Sequence, residues 1–278
     1  MLTGFLFANE IFSQIFYNLL TQNLPQLNLK VTFFFYNLSM QKTKSKRKWY
    51  FRLLKKLTKI RYKKPTFIYL GEEISNSGVI LCNHEGTDSP MTFEIYSNKP
   101  VRFWGANEMN SGLIKMYKYQ SRVYFHEKKH WNLFLARLFC LIASPLTNLF
   151  YSGLNLISTY KDARFAKTLK ESVSALKDGD NIMIFPEKSD DGYKEVLDGF
   201  FGGFIMLGEY ALKNQIDVPI YIAYFNKKNK TFLIDKPILY SELKNQALSK
   251  KEVAEKLCSR CNELGALTND QEFINLHK

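Results

Sequence analysis

From Pro65 onward, short β-rich runs alternate with helical stretches, and this alternation constrains the fold more than any other feature of the chain. The runs are TFIYL (66–70), GVILCN (78–83), VRFWG (101–105), LNLIST (154–159), NIMIF (181–185), VPIYIAYF (218–225) and TFLID (231–235). Helical patterning is clearest at 163–177, 199–213 and 249–264. Strands alternating with helices predict an α/β fold, a sheet covered on its faces by helices. Hydrophobic residues make up 46% of 278, enough for a sizeable core and too many for a globally disordered chain.

Charge divides the chain. The formal net charge is +13, and residues 41–64 alone hold twelve Lys or Arg and no acid. Residues 1–40 hold one acid, Glu10, and one base, Lys30, so everything from Pro65 onward is nearly neutral. Three parts follow: an apolar leader over 1–40, a basic amphipathic segment over 41–64, and an α/β domain over 65–278. Polar residues interrupt the leader's apolar runs before they reach the ~18 residues of a spanning helix. No positively charged region precedes them, which argues against a secretory signal. Met40 stands immediately before the basic segment, so 1–39 is expected to be a membrane-contacting leader or sequence upstream of the native start.

Within 41–64, Trp49, Leu53, Leu57 and Ile60 recur at helical spacing, with Tyr50 and Leu54 beside them and cations elsewhere. An aromatic and leucine face flanked by cations suits an interfacial helix on anionic lipid. A solvated charged helix and a nucleic-acid contact are the competing readings of such charge, and the apolar face favours the membrane. The implied location is the cytoplasmic face of a membrane, peripheral or monotopic.

Residues 138–157 contain no charge, but Pro145 and several Ser, Thr and Asn residues interrupt them. A proline inside a helix removes a hydrogen bond and clashes with the preceding turn. A buried or lipid-docking helical hairpin is therefore expected over 131–157. Cys258 and Cys261 form a lone C-x-x-C, and Cys261 shares a helical stripe with Val253, Leu257 and Leu264. That stripe marks Cys261 as core rather than as a metal ligand.

HEKKH (126–130) matches a zinc-hydrolase signature, with His126 and His130 as ligands and Glu127 as base. Lys128 and Lys129 stand between them, where two ammonium groups would oppose a dication. An exposed helix start is the preferred reading, without metal.

CNHEGTDSP (82–90) is different. A buried strand ends in Asn83 and His84, and Asp88 follows. Ligands in α/β proteins gather at strand exits. A carboxylate four residues on, if helix geometry begins at the histidine, can orient the imidazole and stabilise its protonated form. His84 and Asp88 thus form a candidate general-base dyad, and the nucleophile would be a substrate hydroxyl. Farther on, NIMIFPEKSDDG (181–192) is a second β-rich run ending in a carboxylate, Glu187.

Asn83-His84, Phe185-Pro186-Glu187 and Val218-Pro219-Ile220, in this order and spacing, resemble the motif blocks of the glycerolipid acyltransferases of the lysophosphatidic acid acyltransferase type. The resemblance covers roughly 65–265. It departs from the pattern in four places: Asp88 lies four rather than five residues after His84, with Ser89 at the family's Asp position; Lys188 replaces a Gly; Lys161, with Arg164 nearby, stands near the family's second-block Arg; and the segment between the first and second blocks is longer than in compact members. The resemblance implies a mixed central sheet of the glycerol-3-phosphate acyltransferase-like kind. It also implies transfer of a fatty acyl group from acyl-CoA or acyl carrier protein to a lysophospholipid or glycerol-phosphate hydroxyl. No cofactor beyond the donor and no metal are implied. His84 would be the base, Asp88 its orienter and Glu187 the residue that positions the acceptor. Lys161, Arg164 or Lys188 would hold the acceptor phosphate. The alternatives are a zinc-dependent hydrolase acting through HEKKH and a non-enzymatic membrane-surface binding protein.

Overall fold

A computed structural model describes residues 49–86, 88–128, 130–188 and 194–277. The leader and the first third of the basic segment, residues 41–48, lie outside these residues. The elements are α1 (Trp49–Thr58), β1 (Thr66–Tyr69), β2 (Val79–Cys82), α2 (Asp88–Tyr96), β3 (Val101–Ala106), a 3-10 turn (Asn107–Asn110) and α3 (Leu113–Lys118). A π-helical segment (Tyr119–Lys128), α4 (Leu133–Leu154), β4 (Ile157–Thr159), α5 (Phe165–Lys177), β5 (Asn181–Ile184) and α6 (Gly203–Lys213) follow. The chain ends with β6 (Pro219–Asn226), β7 (Thr231–Ile234), β8 (Ile238–Leu239), α7 (Tyr240–Asn245), α8 (Lys250–Leu267) and α9 (Gln271–Leu276). The seven β-rich runs read from the sequence are all strands, and the three helical stretches are α5, α6 and α8.

The fold is α/β, with a mixed central sheet flanked by helices. Strand order is β1-β7-β6-β2-β5-β3-β4, with β8 also on β6. β6, β2, β5 and β3 are mutually parallel, and β7 and β8 run antiparallel to β6. β2 and β5 are buried along their whole length and β6 along nearly all of it. That is the burial expected of parallel strands covered on both faces, and it explains why their sequences are continuous apolar runs. β2 therefore sits in the middle of the sheet, with β6 on one side and β5 on the other.

The chain divides into two compact units. One comprises Tyr62–Trp104 and the residues from Thr159 onward, and holds the catalytic candidates. The other, among the described residues, comprises 49–61 with Gly105–Ser158. The basic helix α1 thus belongs with the segment after β3, a grouping that no local pattern announces.

In this second unit the expected hairpin is a single helix. α4 runs unbroken through Pro145 and closes on Asn155, whose left-handed conformation (φ 53°, ψ 48°) caps the end. Asn132 caps the start by accepting a hydrogen bond from the Phe134 N–H. Ala136, Cys140, Ala143, Ser144 and Thr147 form one continuous buried stripe on both sides of the proline. Packing along that stripe outweighs the lost backbone bond, which costs ~3 kcal/mol in an isolated helix.

α1 docks on the C-terminal half of α4. Phe51 is fully buried with its ring 5.2 Å from that of Phe150, and Tyr50 Oη lies 3.1 Å from Ser152 Oγ. The approach is possible because position 153 is glycine: a Cβ there would lie 2.3 Å from the Phe51 ring. Gly153→Ala is expected to lower stability by roughly 1–3 kcal/mol, the range for overpacking a filled site. Urea denaturation checks this, and an unchanged midpoint would show that α1 does not pack there.

Candidate active site

The site begins where β2 stops. In register, Cys82 pairs with Ala223 of β6. One residue later the Asn83 side chain takes over the ladder: its Nδ2 donates to the Phe225 carbonyl at 3.0 Å and its Oδ1 accepts from the Phe225 N–H at 2.7 Å. Asn83 is buried, and losing it would leave both Phe225 backbone groups unsatisfied, at ~1–3 kcal/mol. Since the side chain closes the ladder, the main chain is free to turn away. Glu85 (φ 44°) and Gly86 (φ 65°) make that turn in the left-handed region, which a non-glycine residue occupies at a cost of ~1–2 kcal/mol.

His84 sits between the closed ladder and the strained turn. Its ring centroid is 4.6 Å from that of Phe185, the residue that follows β5. Its backbone N–H donates to Glu187 Oε2 at 3.1 Å. Burial lowers the imidazole pKa from 6.5 to about 4, because charging a ring in dry surroundings costs solvation. His84 is thus neutral at physiological pH, the form in which an imidazole accepts a proton.

Glu187 is 7% exposed. Pro186, Glu187 and Lys188 pair antiparallel with 199–201: the Lys188 N–H donates to Gly199 O, and the Phe201 N–H donates to Pro186 O. The carboxyl is held with one oxygen on the His84 amide, and Oε1 has no hydrogen-bond partner among the described residues. Burial raises its pKa to about 7; the hydrogen bond from His84 works against that rise and the nearby Glu85 adds to it. A buried acceptor with no partner is uncommon in a folded chain and marks a place where a ligand donor fits.

The sheet explains why these two groups meet. β2 leads through α2 to β3, beyond β5, whereas β5 leads through α6 to β6, on the other side of β2. With the right-handed crossovers of parallel units, α2 and α6 leave on opposite faces. Adjacent strands whose exits diverge leave a crevice at their C-terminal ends, the ligand site of open α/β sheets.

Other candidates fall elsewhere. Asp88 is the first residue of α2, so helix geometry begins at the acid and not at the histidine. The i, i+4 basis for a His84–Asp88 dyad is therefore absent. The Asp88 carboxylate instead meets Lys227 Nζ at 2.5 Å, and no hydrogen bond between Asp88 and His84 occurs among the described residues. Lys227 follows the C-terminal end of β6, the strand beside β2, and a linear sequence carries no signal of that adjacency. Ser89 is buried with its hydroxyl 3.4 Å from Cys82 Sγ. Lys188 is exposed, its Nζ 6.0 Å from the Phe201 ring centroid. Lys161 is exposed after β4. Arg164 forks onto Asp162 at 2.7 to 3.0 Å and lies over the Tyr160 ring. Hydrogen bonding from Arg164 holds the exposed Asp162 down to about 2. β4 is three strands from β2, roughly 14 Å at ~4.8 Å per strand, so Lys188 is the cation nearest Glu187 in the chain and in the sheet order.

HEKKH lies at the end of the π-helical segment, not at a helix start. His126 Nδ1 lies 2.9 Å from the Trp131 carbonyl oxygen. His130 is beyond the helix in a left-handed conformation (φ 55°). The two imidazoles do not share a helical face, which is the arrangement a zinc-hydrolase signature requires. Cys258 and Cys261 are buried free thiols whose Sγ atoms contact the carbonyls of Leu197 and Ala223, as expected of core residues.

No family model matches the chain, and no curated protein matches it.

The two shifted groups impose opposite pH slopes. Glu187 keeps its proton to higher pH in the folded chain, so it costs stability as pH rises from 4.5 through about 7. His84 resists protonation, so it costs stability as pH falls from 6.5 through about 4. Glu187→Gln is therefore expected to match the parent's stability below pH 4.5 and to exceed it increasingly up to pH 7.5, by on the order of 2–3 kcal/mol. Denaturant titrations across pH check this; a difference independent of pH would show that the Glu187 carboxyl is not held protonated by burial.

Proposed function

We propose that the chain is a glycerolipid O-acyltransferase that moves a fatty acyl group from an acyl thioester to the hydroxyl of a lysophospholipid or glycerol-phosphate acceptor, with the glycerol-3-phosphate acyltransferase-like fold. The observation that carries this reading is the pairing of His84 and Glu187 at the crevice between β2 and β5. It joins two of the motif blocks that the sequence shares with that family. The neutral His84 takes the acceptor's hydroxyl proton as the oxygen adds to the thioester carbonyl. The tetrahedral intermediate collapses, the C–S bond breaks, and the thiolate leaves with the proton carried by the imidazolium. No acyl-enzyme forms and no cofactor beyond the donor is required.

Glu187 has two tasks here. Oε2 fixes the backbone of His84, and Oε1 is left to take a hydrogen bond from an acceptor hydroxyl. Lys188, adjacent in sequence and exposed, holds the acceptor's phosphate as a charge-assisted partner. Asp88 acts through Lys227, bracing the first turn of α2 against the end of β6, and not through the ring. A lysophospholipid acceptor and the acylated product both reside in membranes, which is consistent with a reaction at the cytoplasmic face of one.

The expected outcome with a long-chain acyl-CoA and lysophosphatidate is that His84→Ala lowers kcat by ~10²–10⁴-fold, the usual worth of general-base catalysis. Asp88→Asn should cost less than about tenfold, because it weakens a brace and leaves the base in place. Steady-state acyl transfer, with folding checked by circular dichroism, measures both. Full activity in folded His84→Ala would end this reading.

A further inference from the structure

The exposed apolar side chains are concentrated in the unit that does not hold the candidate site. On α4, Phe134, Leu135, Leu138, Leu141 and Ile142 are all more than half exposed, with Phe134 at 72%. Their spacing of i, i+1, i+4, i+7 and i+8 is one helical stripe, opposite the buried stripe of Ala136, Cys140, Ala143 and Ser144. On α1, Leu53 and Leu57 are exposed, as is Ile60 just beyond it, while Tyr50, Phe51 and Thr58 face inward. α1 thus has two apolar faces, of which one packs against protein among the described residues.

Charge follows the same partition. Residues 62–104 and 159–278 together hold 22 Lys or Arg and 23 Asp or Glu. Residues 49–61 hold five cations and no acid, and residues 105–158 hold six cations and two acids. The positive charge of the described chain therefore belongs to the unit that also exposes leucine and phenylalanine.

We infer that this unit docks on an anionic lipid bilayer, with the N-terminal half of α4 lying in the plane of the headgroups and the cations of α1 contacting lipid phosphates. A unit that exposes an apolar stripe and carries eleven cations against two acids complements a surface that is negative outside and hydrocarbon beneath. A second copy of this chain would present the same excess of cations, and like charges would oppose the pairing. A spanning mode is excluded by length. α4 has 22 residues and the composition of a membrane span, but its outward stripe extends only from Phe134 to Ile142. That is about 12 Å at ~1.5 Å per residue, against ~30 Å of hydrocarbon. Beyond it, Ala143, Ser144 and Thr147 are buried in protein.

This surface is independent of the acyl-transfer reading, because vesicle binding is measured without substrate. The test uses the full chain with phosphatidylcholine vesicles and with phosphatidylcholine–phosphatidylglycerol vesicles, read by co-sedimentation, alongside sedimentation velocity without lipid. The expected result is preferential binding to the anionic vesicles. The double variant Leu138→Glu, Leu141→Glu should lower that partition by about tenfold or more, because carboxylates would enter the headgroup region. Both positions are exposed, so the thermal midpoint should not change; Leu138→Gln with Leu141→Gln, which adds no charge, should give a smaller loss in the same direction. Unaltered vesicle binding in both double variants would overturn the inference. So would a lipid-free dimer that the variants dissociate, which would assign the stripe to a second copy.

Discussion

The exchange of two hydrogen bonds between the Asn83 carboxamide and the backbone of Phe225 is the constraint on which the site depends. A parallel ladder continues as long as both main chains remain extended. By satisfying Phe225 with a side chain, Asn83 ends β2 without leaving a buried amide or carbonyl exposed to the core. The next residue can then turn, and the turn is made in a left-handed conformation at Glu85 and Gly86. His84 is consequently held at a fixed position with its backbone N–H directed across the crevice to Glu187. A residue without an amide side chain at position 83 would leave that exit undefined and the imidazole unplaced.

Burial gives the two site groups opposite character. Desolvation, the largest cause for both, keeps His84 neutral and raises Glu187 toward neutrality, so two residues that would be charged partners in water meet here as an uncharged base and a weak acid. Such a pair avoids the cost of a buried ion and suits chemistry in which charge appears only during the reaction. The ionic groups lie outside it: Asp88 with Lys227, Glu195 with Lys228. Topology supplies the rest, since β2 and β5 become neighbours only because each sends its chain to the far side of the other.

Much of this was legible in the sequence. The strands show as apolar runs because both faces of the sheet are covered, and His84 and Glu187 stand out because each breaks such a run with a polar residue. The sequence does not show strand order, so the ion pair of Asp88 with Lys227, 139 positions apart in the numbering, has no local signal, and local spacing points Asp88 to the histidine nearest in the chain. Pro145 misleads for a related reason: its local cost is readable, whereas the buried stripe that carries α4 through it is a property of tertiary packing. HEKKH is the converse case, a local pattern whose meaning requires a helix that ends before His130.

The central claim is that His84 is held as a neutral base by its dry setting beside Glu187. The direct measurement is the titration of its imidazole by NMR in the full chain, assigned by comparison with His84→Ala. This account predicts a pKa near 4, with the ring neutral throughout the physiological range. An imidazole that titrates at its ordinary value of 6.5 or above would contradict it, for His84 would then be solvated or paired with a carboxylate, and the site would require a different base.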